Sequence, residues 1–261
     1  MKQILCSTLL LAVALTVVSC SGCHSHFSRE FNVFDEGPRV TQIRSLKGFE
    51  EIQVLGSPTV YYEQGDTFGV RIEGPENLVN DIVTEVSGKA LVIRNKGKIG
   101  MLNISINDWD DLAVHVTSPD LVSVMLSGSG DFMAHKQIDT DNMQITLRGS
   151  GDIDIENLIC DHCVTELVGS GDVSIASLDA MTSEVTLVGS GDMSLKQKNV
   201  RQTDISLRGS GDISVEFKEG CHEVNARLLG SGDVSLKGQV KKFSQQKTGS
   251  GDIDTDGLSV R

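Results

Sequence analysis

The stretch LVGSGDVSIASLDAMTSEVTLVGSGDMSL, residues 167–195, holds the tetrapeptide Gly-Ser-Gly-Asp twice. The whole chain carries seven copies, and the steps between their first glycines are 21, 20, 20, 20, 21 and 19 residues. A repeat of about 20 residues is typical of a solenoid, in which each coil contacts only the coils before and after it. The spacing therefore predicts a β-solenoid with one coil per repeat. The first glycines of the copies are Gly128, Gly149, Gly169, Gly189, Gly209, Gly230 and Gly249.

Apolar residues occupy fixed positions on either side of each tetrapeptide. The residue after each aspartate is Phe, Ile, Val or Met, and a leucine precedes the first glycine by two places in every copy except the last. Because alternate residues of a strand face the same side, these columns predict two short strands that flank the tetrapeptide and bury the apolar side chains. Lys247 replaces the leucine in the last copy, as expected of a polar terminal coil.

Composition and charge narrow the class of protein. The repeats are rich in Val, Ile, Thr, Ser and Gly, and the chain has only 4 prolines, so an all-β fold is predicted. The formal net charge is -13. Nucleic acids and anionic lipid surfaces are bound through basic faces, so the charge argues against both as direct partners and permits divalent cations.

The N-terminus predicts export. Lys2 and the almost wholly apolar residues 4–18 are typical of a secretory signal that is too short to span a bilayer. The sequence VVSC, residues 17–20, resembles the lipobox of bacterial lipoproteins, in which the chain is cleaved before an acylated cysteine. We therefore predict a signal peptide over residues 1–19, a lipid on Cys20 and a tether over residues 20–37. Cys23 is a second candidate for the lipid, and a plain cleaved signal is the alternative. Ser21, where an Asp would favour retention at the inner membrane, favours the outer membrane.

The tetrapeptide itself suits a sharp corner. Glycine adopts positive φ angles and leaves room for a stacked coil, while Ser and Asp side chains hydrogen-bond to backbone groups in turns. A corner of this kind needs no ligand.

A cation ladder is the second hypothesis for the tetrapeptide. Coils about 4.8 Å apart would align the carboxylates, whose repulsion calcium or an internal hydrogen bond could offset. Calcium-binding Gly- and Asp-rich solenoids offer a precedent, although their repeat length and glycine spacing differ. Calcium is the only cofactor considered, and no metal site is firmly predicted. The seven aspartates are Asp131, Asp152, Asp172, Asp192, Asp212, Asp233 and Asp252.

Residues 38–120 are less regular than the repeats. The sequence VLGSPTV, residues 54–60, resembles a degenerate copy of the repeat, and alternating runs elsewhere in the region indicate further strands. We predict that residues 38–120 form the N-terminal β part of the solenoid and residues 121–258 its regular coils, with a separate small β domain as the alternative for the first part.

Two further motifs are candidates for chemistry. Trp109 lies among several acids in DWDD, residues 108–111, so Trp109 and Asp110 are candidate ligand contacts, although a loop with a partly buried Trp is the simpler interpretation. The sequence CDHC, residues 160–163, with Cys221, invites a zinc or redox interpretation. A single CxxC pair is weak evidence for a zinc or redox site, and Cys221 would lie about 14 Å from Cys160 along the solenoid axis. Buried thiols or a local disulfide between Cys160 and Cys163 are therefore favoured.

A family resemblance rests on FEEIQV, residues 49–54, on LVSV, residues 121–124, which leads into the first tetrapeptide, and on the later copies. In these motifs the chain resembles the bacterial family called putative auto-transporter adhesin, head GIN domain, over residues 39–255. The resemblance implies a right-handed parallel β-helix or β-solenoid and a surface or periplasmic setting. The family supplies no catalytic residues.

The sequence thus predicts a non-enzymatic envelope lipoprotein that presents flat Ser/Thr/Asp-rich faces to a protein or glycan and meets the membrane only through its lipid. Two alternatives stay open. A structural or self-assembling protein would show a large interface between copies, and a polysaccharide-active enzyme would show a groove with converging charged residues.

Overall fold

The computed structural model describes residues 38–97 and 112–261. These residues are nearly all β, with 74% of them in strands and 3% in helix. The helix α1 spans Glu76–Asp81. The strands are β1 (Arg39–Arg44), β2 (Glu51–Gly56), β3 (Thr59–Gln64), β4 (Gly69–Pro75), β5 (Ile82–Ser87), β6 (Ala90–Asn95), β7 (Ala113–Ser118), β8 (Ser123–Gly128), β9 (Phe132–Asp139), β10 (Asn142–Gly149), β11 (Ile153–Gly169), β12 (Val173–Gly189), β13 (Met193–Lys198), β14 (Gln202–Gly209), β15 (Ile213–Gly230), β16 (Val234–Gly249) and β17 (Ile253–Val260).

Strands β8 to β17 stack in parallel, and each pairs with the strands one repeat away. Gly149 of β10 lies opposite Gly128 of β8 and Gly169 of β11. Leu147 lies in the same way between Leu126 and Leu167. Equivalent positions of successive repeats are therefore neighbours, which confirms the predicted β-solenoid, with about 7 turns at roughly 20 residues per turn.

Each coil bends more often than the sequence predicted. In β11 the alternation of buried and exposed residues is interrupted at residues 156–157 and again at residues 161–162, where both residues of the pair are exposed. Two consecutive outward residues turn the strand, and the pairing with β9 shifts register at the first of these places, between Ile155 and Asn157. In this coil a bend at residues 156–157 therefore lies between the tetrapeptide and a second corner at residues 161–162, and the prediction of two strands per coil was too simple.

The core is a stack of the predicted apolar columns. Leu126, Leu147 and Leu167 are all buried, and the column continues to Leu228. In the last coil Lys247 lies opposite Leu228 and is exposed, and its Nζ donates a hydrogen bond to Asp252 Oδ1 at 2.9 Å. The apolar column thus ends in a solvated ion pair, as a terminal coil requires.

The N-terminal end is built out of chain order. Strand β2 lies between β6 and β8, and β3 pairs with both β7 and β9, all in parallel. Gly56 lies opposite Gly128, which places the degenerate repeat in register with the regular ones. Strands β4 and β5 pair antiparallel with β7 and β6, and β1 pairs antiparallel with β4. In the described parts of the chain, no helix is long and apolar enough to cross a membrane.

Both glycines of the tetrapeptide are dictated by the distance between coils. Gly169 has a φ of 149°, and a Cβ on it would lie 2.0 Å from the carbonyl oxygen of Gly149. A Cβ on Gly171 would lie 1.9 Å from the carbonyl oxygen of Gly151. The same carbonyl of Gly149 accepts the N–H of Ser170 at 2.9 Å. The corner backbones are in direct contact, and no side chain fits between them.

We expect Gly171→Ala to destabilise the protein by about 3 kcal/mol or more, because the added methyl must push two coils apart. Gly97→Ala is the control, since no atom of the described residues lies within 4 Å of its Cβ position. Urea unfolding followed by circular dichroism measures both variants. Equal stability of the two variants would contradict the argument from coil spacing.

Candidate functional site

The aspartates of the tetrapeptide form a hydrogen-bond ladder along the stack. The Oδ1 atom of each aspartate except Asp252 accepts a hydrogen bond from the backbone N–H of the aspartate in the next coil. The N–H to Oδ1 distances are 3.1 Å for Asp152 to Asp131, 3.0 Å for Asp172 to Asp152, 2.9 Å for Asp192 to Asp172, 3.0 Å for Asp212 to Asp192, 2.8 Å for Asp233 to Asp212 and 2.7 Å for Asp252 to Asp233. The side chain thus supplies the acceptor that the neighbouring corner needs.

The ladder bears on the calcium hypothesis without deciding it. One carboxylate oxygen of each aspartate except the last receives a backbone N–H, which offsets part of the repulsion between coils. The Lys247 ammonium, which is hydrogen-bonded to Asp252, lowers the pKa of that carboxyl below its usual value. Within residues 38–97 and 112–261, no group of three or more His, Cys, Asp and Glu side chains is placed to hold a metal. Calcium binding along the ladder stays a prediction, for which calcium calorimetry is the measurement.

Trp109, Asp110 and Cys20 lie outside the described residues. The cysteines of the CDHC motif, in contrast, lie within the described residues. Cys160, Cys163 and Cys221 are buried free thiols, and Cys163 lies opposite Met143 in an inward column. A hydrogen bond to Cys163 together with burial raises the pKa of Cys160, and burial raises that of Cys221. Their position is that of core residues.

The first concave surface is a polar groove on the outer face of β12, β14, β15 and β16. Its volume is about 590 Å³. Asp204, Asn225 and Ser244 lie opposite one another on successive coils. Asn225 Nδ2 donates to Asp204 Oδ1 at 2.8 Å, and Ser244 Oγ donates to Asn225 Oδ1 at 2.5 Å. A parallel row of Thr186, Ser206, Arg227 and Gln246 also lines the groove.

The hydrogen bonds within the polar groove fix its side chains before any ligand arrives. Gln202 Nε2 donates to the second carboxylate oxygen of Asp204 at 2.7 Å, so that both oxygens are held in place. Preorganised polar groups lose little conformational entropy when a ligand binds. The groove can therefore offer oriented donors and acceptors to a polar ligand. The sequence predicted Ser/Thr/Asp-rich faces, and the register between coils selects which of these residues meet.

The second concave surface is centred on Tyr61 and is called the Tyr61 surface here. It has a volume of about 530 Å³ and lies over β3, β4, β7 and β9. The ring of Tyr61 stacks on His115 with 5.4 Å between centroids and lies 6.4 Å from the ring of His135. Ile43, which is 78% exposed, borders it. Sequence reasoning missed this surface because its three rings come from strands far apart in the chain.

Ion pairs frame the Tyr61 surface. Glu73 contacts both Arg71 and His115, the latter at 3.5 Å, and Glu63 contacts Lys136. Partial burial and the neighbouring Arg71 lower the pKa of His115. On the inner side of β3, the strand that carries Tyr61, burial raises the pKa of Tyr62 to about 12. The hydroxyl of Tyr62 lies 3.0 Å from Ser118 Oγ. The strand therefore presents one tyrosine to the core and the other to solvent.

Replacing Asp192 tests the hydrogen-bond ladder. We expect Asp192→Ala to lower the free energy of unfolding by about 1 kcal/mol, because the N–H of Asp212 loses its acceptor. Asp192→Asn keeps an oxygen at the same place and should lose much less. Urea unfolding of both variants without calcium makes the comparison, and an equal loss in both would show that charge, not the hydrogen bond, matters at this corner.

The stacked coils and their concave outer faces define a β-solenoid protein with surfaces open to ligands. Residues 48–222 match the family described as putative auto-transporter adhesin, head GIN domain, and the chain belongs to this family. The resemblance stated from the sequence is thereby confirmed. Among curated proteins, none matches the sequence of this chain.

Solved structures share the fold. A putative adhesin from Bacteroides fragilis is 24% identical with a TM-score of 0.71, and the match covers 83% of this chain and 96% of that one. A putative lipid binding protein from Parabacteroides distasonis is 23% identical with a TM-score of 0.66, covering 86% and 98%. A putative adhesin from the same species is 22% identical with a TM-score of 0.64, covering 84% and 97%. At these identities the likeness concerns the fold.

Proposed function

We propose that this protein is a non-enzymatic binding scaffold of the bacterial cell envelope, which holds a glycan or protein ligand against the outer faces of its solenoid. The adhesin family and the adhesin-like structures support a binding role and an envelope location. The observation that carries the proposal is the polar groove, in which Asp204, Asn225 and Ser244 are held in one hydrogen-bonded row across three coils.

The proposal includes a lipid anchor on Cys20 at the outer membrane, with the signal peptide removed. The lipobox-like sequence and Ser21 support this placement. A lipid at the N-terminus would tether the solenoid through the segment before β1, leaving its outer faces available to a partner. Mass spectrometry of the N-terminal peptide from the envelope fraction tests the anchor, since an acylated Cys20 and an unmodified N-terminus differ in mass.

A binding role fits the charged groups better than a catalytic one. Most glycoside hydrolases need two carboxyl groups that face each other across the substrate. In the Tyr61 surface, Glu63 and Glu73 are each engaged by cations. Nearby, Glu156 lies 3.4 Å from His135. Each of these three carboxylates thus lies against a basic side chain.

Removing the hydrogen-bonded row tests the groove. We expect Asn225→Ala combined with Ser244→Ala to weaken binding to a glycan or protein found by array screening about tenfold, because two oriented polar groups are lost. Ser194→Ala combined with Ser214→Ala removes two outward serines from another face and is the matched control. Equal binding by the two double variants would contradict a site in the groove.

Self-association of the protein is the alternative to ligand binding, and it is tested with the same purified protein. Sedimentation of the purified protein over a wide concentration range shows whether copies bind one another. A tight homotypic complex that binds nothing on the array would favour the structural alternative and overturn the proposal.

The Tyr61 surface favours a glycan over other ligands, since a half-buried ring flanked by charged donors and acceptors suits both the apolar and the polar groups of a sugar. We expect Tyr61→Ala to weaken glycan binding and Tyr61→Phe to preserve most of it, because the phenylalanine keeps the ring. Calorimetry with the glycan found on the array measures both. A loss of binding in Tyr61→Phe as large as in Tyr61→Ala would assign the effect to the hydroxyl and contradict stacking.

A further inference from the structure

Basic residues line one corner of the last coils of this acidic protein. In the last coils the second corner follows a column in which the buried Cys221 and Val240 lie in register with Val260 of the terminal strand. The next residues outward are therefore neighbours as well. These residues, called the basic column here, are Arg201, His222, Lys241 and Arg261.

The sign of the charge changes along this corner. In earlier coils the same corner carries Asp141 and Asp161, whose backbones are joined by a hydrogen bond of 2.9 Å, and then Met181. Arg201 follows, and its N–H donates to the carbonyl of Met181 at 2.9 Å. From Arg201 onward every residue of the corner is basic, although the chain has 36 acidic and only 23 Lys and Arg residues. The basic column is thus a local reversal of the overall charge.

The basic column lies on a concave surface with few acids. All four residues of the basic column line a cavity of about 460 Å³. Glu219 is the acidic residue among the residues that line this cavity. All four side chains belong to exposed residues. Within residues 38–97 and 112–261, none of the four forms an ion pair with a carboxylate. Like charges placed about 4.8 Å apart repel one another, so a bound anion would relieve a cost already present.

Protection of the solenoid edge does not account for the whole column. Lysines at an exposed sheet edge discourage pairing with other chains, and Lys241 lies in the terminal part of the stack. Arg201 and His222, however, lie in coils that pair with neighbours on both sides. Their charges lie where there is no edge to protect.

We propose that the basic column binds a linear anionic glycan, with sulfate, phosphate or carboxylate groups, that runs parallel to the solenoid axis. The four residues span about 14 Å along the axis at the ordinary strand spacing, which suits a polymer with repeated charges better than a single ion. Arg201 and Lys241 supply permanent charge, and His222 lies between them in the column. The inference deepens the proposed binding role by naming a ligand class, and its site is separate from the polar groove and the Tyr61 surface.

The test compares dextran sulfate with neutral dextran as probes of the purified protein in calorimetry. We expect dextran sulfate to bind, neutral dextran not to bind, and the affinity to fall as salt is added. Arg201→Gln combined with Lys241→Gln should weaken binding about tenfold. Lys196→Gln combined with Lys237→Gln is the matched control, because it removes the same charge from exposed positions on another face of the same part of the stack.

Glu219→Gln gives a test of opposite sign. Removing the acid from the cavity should tighten binding of dextran sulfate about two- to threefold, an effect that loss of folding cannot imitate. Equal weakening by the two double variants would show attraction by net charge alone, and no tightening by Glu219→Gln would show that the polyanion does not lie in this cavity. Either result would overturn the site. Failure of these tests leaves binding at the polar groove untouched, since that site is measured with its own variants.

Phosphatidylglycerol vesicles distinguish a polymer from a lipid headgroup. We expect weaker binding to vesicles than to dextran sulfate, because a flat bilayer cannot follow a corner that lies within a concave surface. Binding to vesicles as strong as binding to dextran sulfate, and lost in Arg201→Gln combined with Lys241→Gln, would overturn the glycan assignment in favour of a lipid surface.

Discussion

The contact between glycine backbones at the stacked corners is the constraint on which the rest of the structure depends. The carbonyl of Gly149 lies where a Cβ of Gly169 would have to be, and the same relation recurs at later corners. Because the backbones touch, the coils are held at a single distance. That distance sets the register of every strand that leaves the corner, so residues 20 or 21 apart in the chain become neighbours in space.

The aspartate completes the hydrogen bonding that this close contact leaves open. At a corner the backbone turns, and its carbonyls no longer point along the stack at every residue. The N–H of Asp192 finds the side chain of Asp172 instead of a carbonyl, while the N–H of Met193 returns to the carbonyl of Asp212 in the next coil. Paired polar groups are needed wherever backbone is shielded from water. The tetrapeptide repeats as a unit because each of its residues meets its own copy.

The fold could be predicted from the sequence because its decisive interactions are between equivalent positions of the repeat. A strict period and apolar columns indicate a solenoid, and Lys247 in a core column indicates its polar end. The order of β6, β2 and β8 could not be read in this way, since pairing between them joins segments without the repeat. The surfaces were harder still. Tyr61, His115 and His135 meet only because β3 lies between β7 and β9.

The same constraint explains where the solenoid can vary. At the tetrapeptide corner no Cβ fits, so a change there disturbs two coils at once. At the second corner the side chains of Met181, Arg201 and His222 follow one another and belong to exposed residues, so their identity can change without disturbing the packing of the core. Outward residues such as Asn225 and Ser244 have comparable freedom. Residues that recognise a ligand can accumulate at these positions because the fold makes no demand on them, and the least regular columns of the repeat are therefore the places to look for function.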